Sequence, residues 1–211
     1  MKNKYDLVIF DLDGTLLDTS PGIFGSVRYA ESVMKLNPIE DSELRRFVGP
    51  PPKEMYKKIY GLSDDDAILA TKAHRKYGME KAVYEAEVYA GMKETLNKLK
   101  NSGHKLAVAT LKKQNIAEVV LKNFEIYNFF DAVVGIDEAE SLTKAQTIKL
   151  CMSMTDSKQA VMVGDSEYDY KGAVEAGVDF IGVLYGFGFE KGKDYPFRTA
   201  DEPNELLDLV I

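Results

Sequence analysis

The sequence predicts an α/β fold, a Rossmann-like parallel sheet core with a small helical cap inserted after the first strand. Three observations predict it. Short, nearly all-apolar runs recur along the chain, as strands buried on both faces require. Amphipathic helical patterns separate those runs. The stretch 19–88 carries helical patterns and no strong strand run.

The first strand run is Tyr5–Phe10 (YDLVIF). Lys105–Thr110, Asp131–Ile136, Ala160–Gly164 and Phe180–Leu184 follow it. Between them lie helical patterns at Met92–Lys100, Gln114–Phe124, Thr143–Met152 and Glu167–Ala176. Within the insert, Ser20-Pro21 reads as an N-cap followed by proline at the first helical position, with a helix to Lys35. Asp41–Val48 reads as a second short helix. Pro50-Pro51-Pro52 breaks the chain, Lys53–Tyr60 resumes a helix, and Gly61 stops it. Ser63-Asp64-Asp65-Asp66 resembles a capping box and opens a helix to about Tyr77. The expected organisation is a core of residues 1–18 and 89–211 with a cap of residues 19–88.

Among 211 residues, 27 Lys and Arg face 34 Asp and Glu, a net charge of −7. That balance counts against nucleic-acid binding, which needs a concentrated basic surface. The single cysteine, Cys151, excludes an intrachain disulfide and a cysteine-based zinc site. Val178–Phe189 is the longest mainly apolar run, and its Asp179 and glycines make it unfit to span a bilayer. The segment Met1–Asp6 lacks the apolar stretch of a signal peptide, so a reducing cytoplasm is the expected compartment.

Asp11-Leu12-Asp13-Gly14-Thr15-Leu16 directly follows the first strand run. Ligands of open α/β sheets bind at the carboxyl ends of strands. Alternation along extended chain points Asp11 and Asp13 the same way. Two close carboxylates need a cation or a shared proton. Gly14 permits close backbone approach, and Thr15 adds a hydroxyl. Gly164-Asp165-Ser166-Glu167-Tyr168-Asp169 closes another strand run, with Asp169 one helical turn beyond Asp165. Charges 4 Å apart repel by ~4 kcal/mol at an effective dielectric of about 20, so four carboxylates need compensation. An oxygen-only donor set selects a hard cation, Mg²⁺ first. Thr110 ends a third run and precedes Leu111-Lys112-Lys113. Thr143-Lys144-Ala145-Gln146 fits a capping box and puts Lys144 in a first helical turn. The helix dipole disfavours a cation there, so Lys144 calls for an acidic neighbour or an anionic ligand.

Each feature alone has a plainer reading. Strand-end acids are common in solvated loops, Thr110 could cap the next helix, and Lys144 could be a solvated lysine. Cys151 sits in an apolar helical pattern and reads as packing. His74 and His104 read as structural. Tyr185-Gly186-Phe187-Gly188-Phe189 suits either a loop at the site or an interface.

Taken in order, these elements resemble the haloacid dehalogenase superfamily, in its phosphatase branch near the phosphoglycolate phosphatase-like proteins. The resemblance covers nearly the whole chain. It rests on Phe10-Asp11-Leu12-Asp13-Gly14-Thr15-Leu16-Leu17-Asp18-Thr19 and on the spaced Gly164-Asp165, Asp169 and Ala176-Gly177. Phe47-Val48-Gly49-Pro50-Pro51 is similar to a cap segment of that group. The lysine element is usually Lys-Pro in such proteins and is Lys144-Ala145 here, so Lys112 stands in reserve for the role.

The resemblance implies that Asp11 is a nucleophile that becomes an aspartyl phosphate, and Asp13 a general acid and base. It implies that Thr110, Leu111 and the backbone near Gly14 hold the phosphoryl oxygens, while Lys144 neutralises charge. Asp11, the Asp13 carbonyl and Asp165 would bind Mg²⁺, with Asp169 behind them orienting a metal-bound water or Lys144. The cap would hinge near Thr19 and Glu87–Gly91, and Arg45, Arg46 or Lys53 would meet an anionic substrate tail. The implied enzyme is a monomeric or homodimeric phosphatase acting on phosphoglycolate, a sugar phosphate or a nucleoside monophosphate. A β-phosphoglucomutase-type phosphomutase and a non-catalytic phospho-aspartate regulatory protein are the rival readings. A dehalogenase would need neither Asp13 nor Mg²⁺.

Overall fold

A computed structural model describes residues 4–137 and 141–211, so Met1–Asn3 of the amino-terminal segment lie outside it. The chain opens with β1 (Leu7–Phe10), all four residues buried. Burial on both faces is why this run shows no polar alternation; each such side chain contributes roughly 1.5–3 kcal/mol. Next come β2 (Leu17–Asp18), α1 (Ser20–Met34), α2 (Asp41–Leu44), α3 (Pro52–Tyr60), α4 (Asp64–Glu80) and β3 (Glu87–Val88). The rest alternates: α5 (Met92–Asn101), β4 (Lys105–Lys113), α6 (Gln114–Asn123), β5 (Ala132–Ile136), α7 (Lys144–Met154), β6 (Ala160–Gly164), α8 (Glu167–Ala176) and β7 (Asp179–Val183). Finally β8 (Arg198–Ala200) and α9 (Leu206–Val210) close the chain. Six strands form one parallel sheet in the order β5-β4-β1-β6-β7-β8. Helices cover both faces, and one apolar cluster fills each side.

The α/β class is therefore correct, and local details differ from expectation. Thr19, not Ser20, is the N-cap of α1, and Pro21 falls one position later. The Thr19 hydroxyl does not cap the helix; it donates to Asp13 Oδ1 at 2.6 Å, while the Asp18 carboxylate accepts the Ser20 N–H. The expected helix at Asp41–Val48 is α-helical only to Leu44, then tightens into a 3₁₀ turn at Arg45–Phe47. β4 runs on past Thr110 to Lys113, with its register broken between Ala109 and Lys113. β8 is a sixth strand without an apolar run, because a three-residue edge strand pairs on one side only. No helix among the described residues is long and apolar enough to cross a membrane.

The insert has its own apolar cluster, centred on Phe47, Met55, Tyr56 and the α1 and α4 faces. His74 lies inside it, 8% exposed, 3.2 Å from the Tyr56 hydroxyl. Burial, helped by nearby Lys112 and Arg75, pushes its imidazole down to about 3. The folded protein thus holds His74 neutral, while the unfolded chain protonates it below its ordinary value of 6.5. Stability should fall as pH drops from that value toward 3, by about 1.4 kcal/mol per unit from this group. Urea unfolding at pH 7 and pH 4.5 tests this: His74→Gln should show a shallower pH dependence by that one-proton slope.

Candidate active site

The site forms at the carboxyl edge of the sheet, where the adjacent strands β4, β1 and β6 end. Asp11 leaves β1 with its N–H donated to Val163 of β6 at 2.9 Å. Asp13 sits one bridge from Leu17, and the Gly14 N–H donates to the Leu17 carbonyl at 2.8 Å. Gly14 has φ +77°, and a Cβ there would lie 2.4 Å from Asp165 Oδ2. The close approach that Gly14 permits is therefore to the Asp165 carboxylate. Gly14→Ala should strain the backbone and displace Asp165 together. Thermal melting should show a lower Tm and no stabilisation on adding Mg²⁺.

Lys144 is 6% exposed and reaches two carboxylates from the first turn of α7. Its Nζ lies 2.6 Å from Asp11 Oδ1 and 2.6 Å from Asp169 Oδ1. Thr143 and Gln146 complete the capping box that sets this turn. Gly172 of α8 supplies the room: a Cβ there would stand 2.6 Å from Lys144 Cγ. Burial alone would push the Lys144 ammonium down, but the Asp11 and Asp169 carboxylates outweigh it and hold the value above the ordinary one. Lys112 meets a different partner, with Nζ 3.0 Å from Asp13 Oδ1. The two lysines thus divide the carboxylates between them, and Lys144 is the one on Asp11.

The remaining acids are tightly placed. Asp169 accepts the Ser166 N–H at 3.0 Å and its hydroxyl at 2.6 Å on Oδ2, so both of its oxygens are engaged. Asp165 is 2% exposed and accepts the Phe187 N–H at 2.7 Å on Oδ2. Its Oδ1 is buried without a hydrogen-bond partner, as is Thr15 Oγ1. A buried unpaired carboxylate oxygen costs several kcal/mol of lost hydration unless something binds it. Burial, then the charges of Asp169 and Asp13, pushes the Asp11 carboxyl up to about 7 against the pull of Lys144. Burial, then Asp169 and Asp11, raises Asp165 well above the carboxylate range. Asp11, Asp165 and Asp169 bring carboxylate oxygens within 4.8 Å of one another. These three buried acids have one lysine beside them, paired with Asp11 and Asp169, so a hard divalent cation fits the donor set, with Asp165 Oδ1 left unpaired.

Thr110 is buried at the end of the predicted strand run, its Oγ1 accepting the Lys112 N–H at 3.1 Å. Leu111 and Lys112 line a cleft that opens beside Asp13 between α1, α4 and α6. Its lining also holds Thr19, His74, Arg75 and Lys113. Arg45 and Lys53 are not in that lining: Arg45 packs over the Phe187 ring at 5.5 Å, and Lys53 lies 3.7 Å from Asp64. Arg46 pairs with Glu43. Sequence reading missed Arg75, which looks like any surface charge on a polar helix. Cys151 is buried with its thiol against the Val108 carbonyl, which fits packing. Tyr185 packs edge-to-face against Tyr89 and donates to the Thr15 carbonyl at 3.1 Å, so its loop belongs to the site's wall.

A family model described as haloacid dehalogenase-like hydrolase matches residues 8–183. A 5′-nucleotidase of Pseudomonas aeruginosa is 33% identical over 192 residues, covering 89% of this chain and 86% of the relative. The pyrophosphatase PpaX of Bacillus mycoides is 29% identical over 98% of this chain and 97% of its own. The crystal structure of a predicted phosphatase from Clostridium acetobutylicum superposes with a TM-score of 0.88 at 35% identity, covering 98% of this chain and 99% of that one.

Proposed function

This chain belongs to the haloacid dehalogenase-like hydrolase family, and from that premise we propose that it is a Mg²⁺-dependent phosphatase of a small phosphorylated metabolite. The observation that carries the reading is Lys144 held between Asp11 and Asp169, with Asp165 Oδ1 left unpaired beside them. Asp11, the Asp13 carbonyl and Asp165 would hold the cation. Bound there, Mg²⁺ would offset the negative charge that gathers on the phosphoryl oxygens.

Asp11 Oδ attacks phosphorus, and the bond to the leaving oxygen breaks. Asp13 gives its proton to that oxygen, so the alcohol or acid departs neutral at that atom. Asp13 then takes a proton from water, whose oxygen attacks the phosphorus of the aspartyl phosphate and frees Asp11 and inorganic phosphate. Thr19 and Lys112 hold the Asp13 carboxylate in place for both transfers. Lys144 pulls Asp11 toward its ionised form against its burial and faces the added charge as phosphorus is attacked.

The cleft beside Asp13 supports a substrate class. Arg75, Lys112 and Lys113 line it, and the first two help keep His74 unprotonated. Three basic side chains against the one acid Asp13 in that lining favour a leaving group that carries a negative charge of its own, as in phosphoglycolate or pyrophosphate, over a sugar phosphate or a nucleoside monophosphate. Phosphate release from a panel of all four classes, with and without Mg²⁺, is the test. Mg²⁺-dependent release, fastest for the two substrates whose leaving group carries a negative charge of its own, is the expected result. No release, or transfer to a sugar hydroxyl instead, would overturn it.

A further inference from the structure

We propose that Phe187 is a positioning residue that couples docking of the helical insert to the orientation of the Asp165 carboxylate, so that cation binding and closure of the insert favour each other. The cation in this statement rests on the reading above; the coupling itself rests on the geometry of one residue.

Phe187 does two things at once. Its backbone N–H holds Asp165 Oδ2 at 2.7 Å. Its ring packs into the insert's apolar cluster, whose other members among the described residues all lie between Ile23 and Ala73. The Arg45 guanidinium, also from the insert, covers that ring at 5.5 Å. No other described residue of that cluster comes from outside the insert, so a carboxylate of the core and the core of the insert share this single residue.

The flanking glycines remove slack between the two ends. A Cβ at Gly186 would lie 2.4 Å from Asp165 Cβ and 2.4 Å from the Gly14 carbonyl oxygen. A Cβ at Gly188 would lie 2.5 Å from the Asp165 carbonyl oxygen. The segment therefore rests its bare backbone on Asp165, and a shift of the ring moves the N–H. When the insert swings away, the ring loses its apolar contacts and its cation, and the N–H is free to leave the carboxylate. Asp165 then faces Asp11 and Asp169 with one fewer donor to hold it, and its free Oδ1 is no longer aimed. Linkage makes the effect reciprocal: whatever binds an aligned Asp165 also favours the docked insert.

The test is calorimetric titration of Mg²⁺ into the full chain without substrate. Phe187→Ala removes the ring and keeps the N–H; it should weaken Mg²⁺ binding by about fivefold or more. Phe187→Leu keeps an apolar side chain in the cluster and should restore binding to within about twofold. Glu54→Ala cuts a different contact between insert and core, the bond from the Tyr168 hydroxyl at 2.8 Å. It does not run through Asp165 and should weaken Mg²⁺ binding by less than Phe187→Ala does. Mg²⁺ should also slow amide exchange across α3 and residues 185–189 in the wild type and not in Phe187→Ala. Should Phe187→Ala fail to fold, Arg45→Ala carries the same test, with a loss larger than that of Glu54→Ala expected. Equal affinities in wild type and Phe187→Ala, or equal losses in Phe187→Ala and Glu54→Ala, would overturn the coupling and leave the phosphatase reading intact. A wild type that binds no Mg²⁺ would overturn both.

Discussion

Asp11→Asn should abolish phosphate release, lowering kcat by more than ~10⁴-fold, as loss of a nucleophile does elsewhere. The amide matches the carboxylate in shape and cannot attack phosphorus. The same change should leave the protein at least as stable. Burial and the neighbouring acids disfavour the Asp11 charge in the folded state, and its carboxyl stands at about 7. Removing that charge leaves Lys144 still paired with Asp169. Turnover assays and thermal melts in a chelating buffer check both halves. Activity within a few-fold of wild type would sink the nucleophile assignment, and a large drop in Tm would show that the Asp11 charge stabilises the fold.

Lys144→Ala should damage rate and stability together. Without the ammonium, Asp11, Asp165 and Asp169 remain buried within reach of one another and lack a cation. Breaking a buried ion pair from one side costs ~3–5 kcal/mol. The carboxyls of the variant would sit above their unfolded values, so the unfolded chain loses its protons first as pH rises. The stability deficit should therefore grow from pH 5 to pH 8, and added Mg²⁺ should reduce it. Lys112→Ala should cost less on both counts. Lys112 is more exposed than Lys144 and has its pair with Asp13, which Thr19 also holds. Denaturant titrations across pH, with kcat for both variants, decide the ranking. A larger loss in Lys112→Ala would move the charge-neutralising role to that residue.

How much of this could be read from sequence depended on whether a contact is local. The buried run of β1 and the acids after it are neighbours along the chain, so their spacing carries the signal. Lys144 was legible because a capping box placed a cation where a helix dipole rejects it. Its partner Asp11 lies 133 positions away, and only the folded chain brings the two together. The split of Lys144 to Asp11 and Lys112 to Asp13 was illegible for the same reason. Gly172 has no local signal as the residue that makes room for Lys144. β8 escaped notice because Arg198-Thr199-Ala200 pairs on one side and needs no apolar run. In the insert, helices were legible from caps and breakers, while the identity of the cleft-facing cation, Arg75, depended on how α4 packs.

The pairing of β2 with β3 has a consequence for how such a chain can be rebuilt. Leu17 stands opposite Val88 and Asp18 opposite Glu87, so the chain enters and leaves the insert through one narrow doorway. Paired strands run about 5 Å apart, and a two-residue turn can bridge that gap. Cutting at these two points and joining the ends asks the remaining chain for almost no extra loop entropy. The same doorway accepts a transplant: a helical segment from a relative with different cleft residues could be spliced in whole. The acids and lysines behind the doorway would be inherited unchanged, a graft that keeps Thr19 would preserve the bond that holds Asp13, and the rest of the graft would rewrite the insert's side of the cleft.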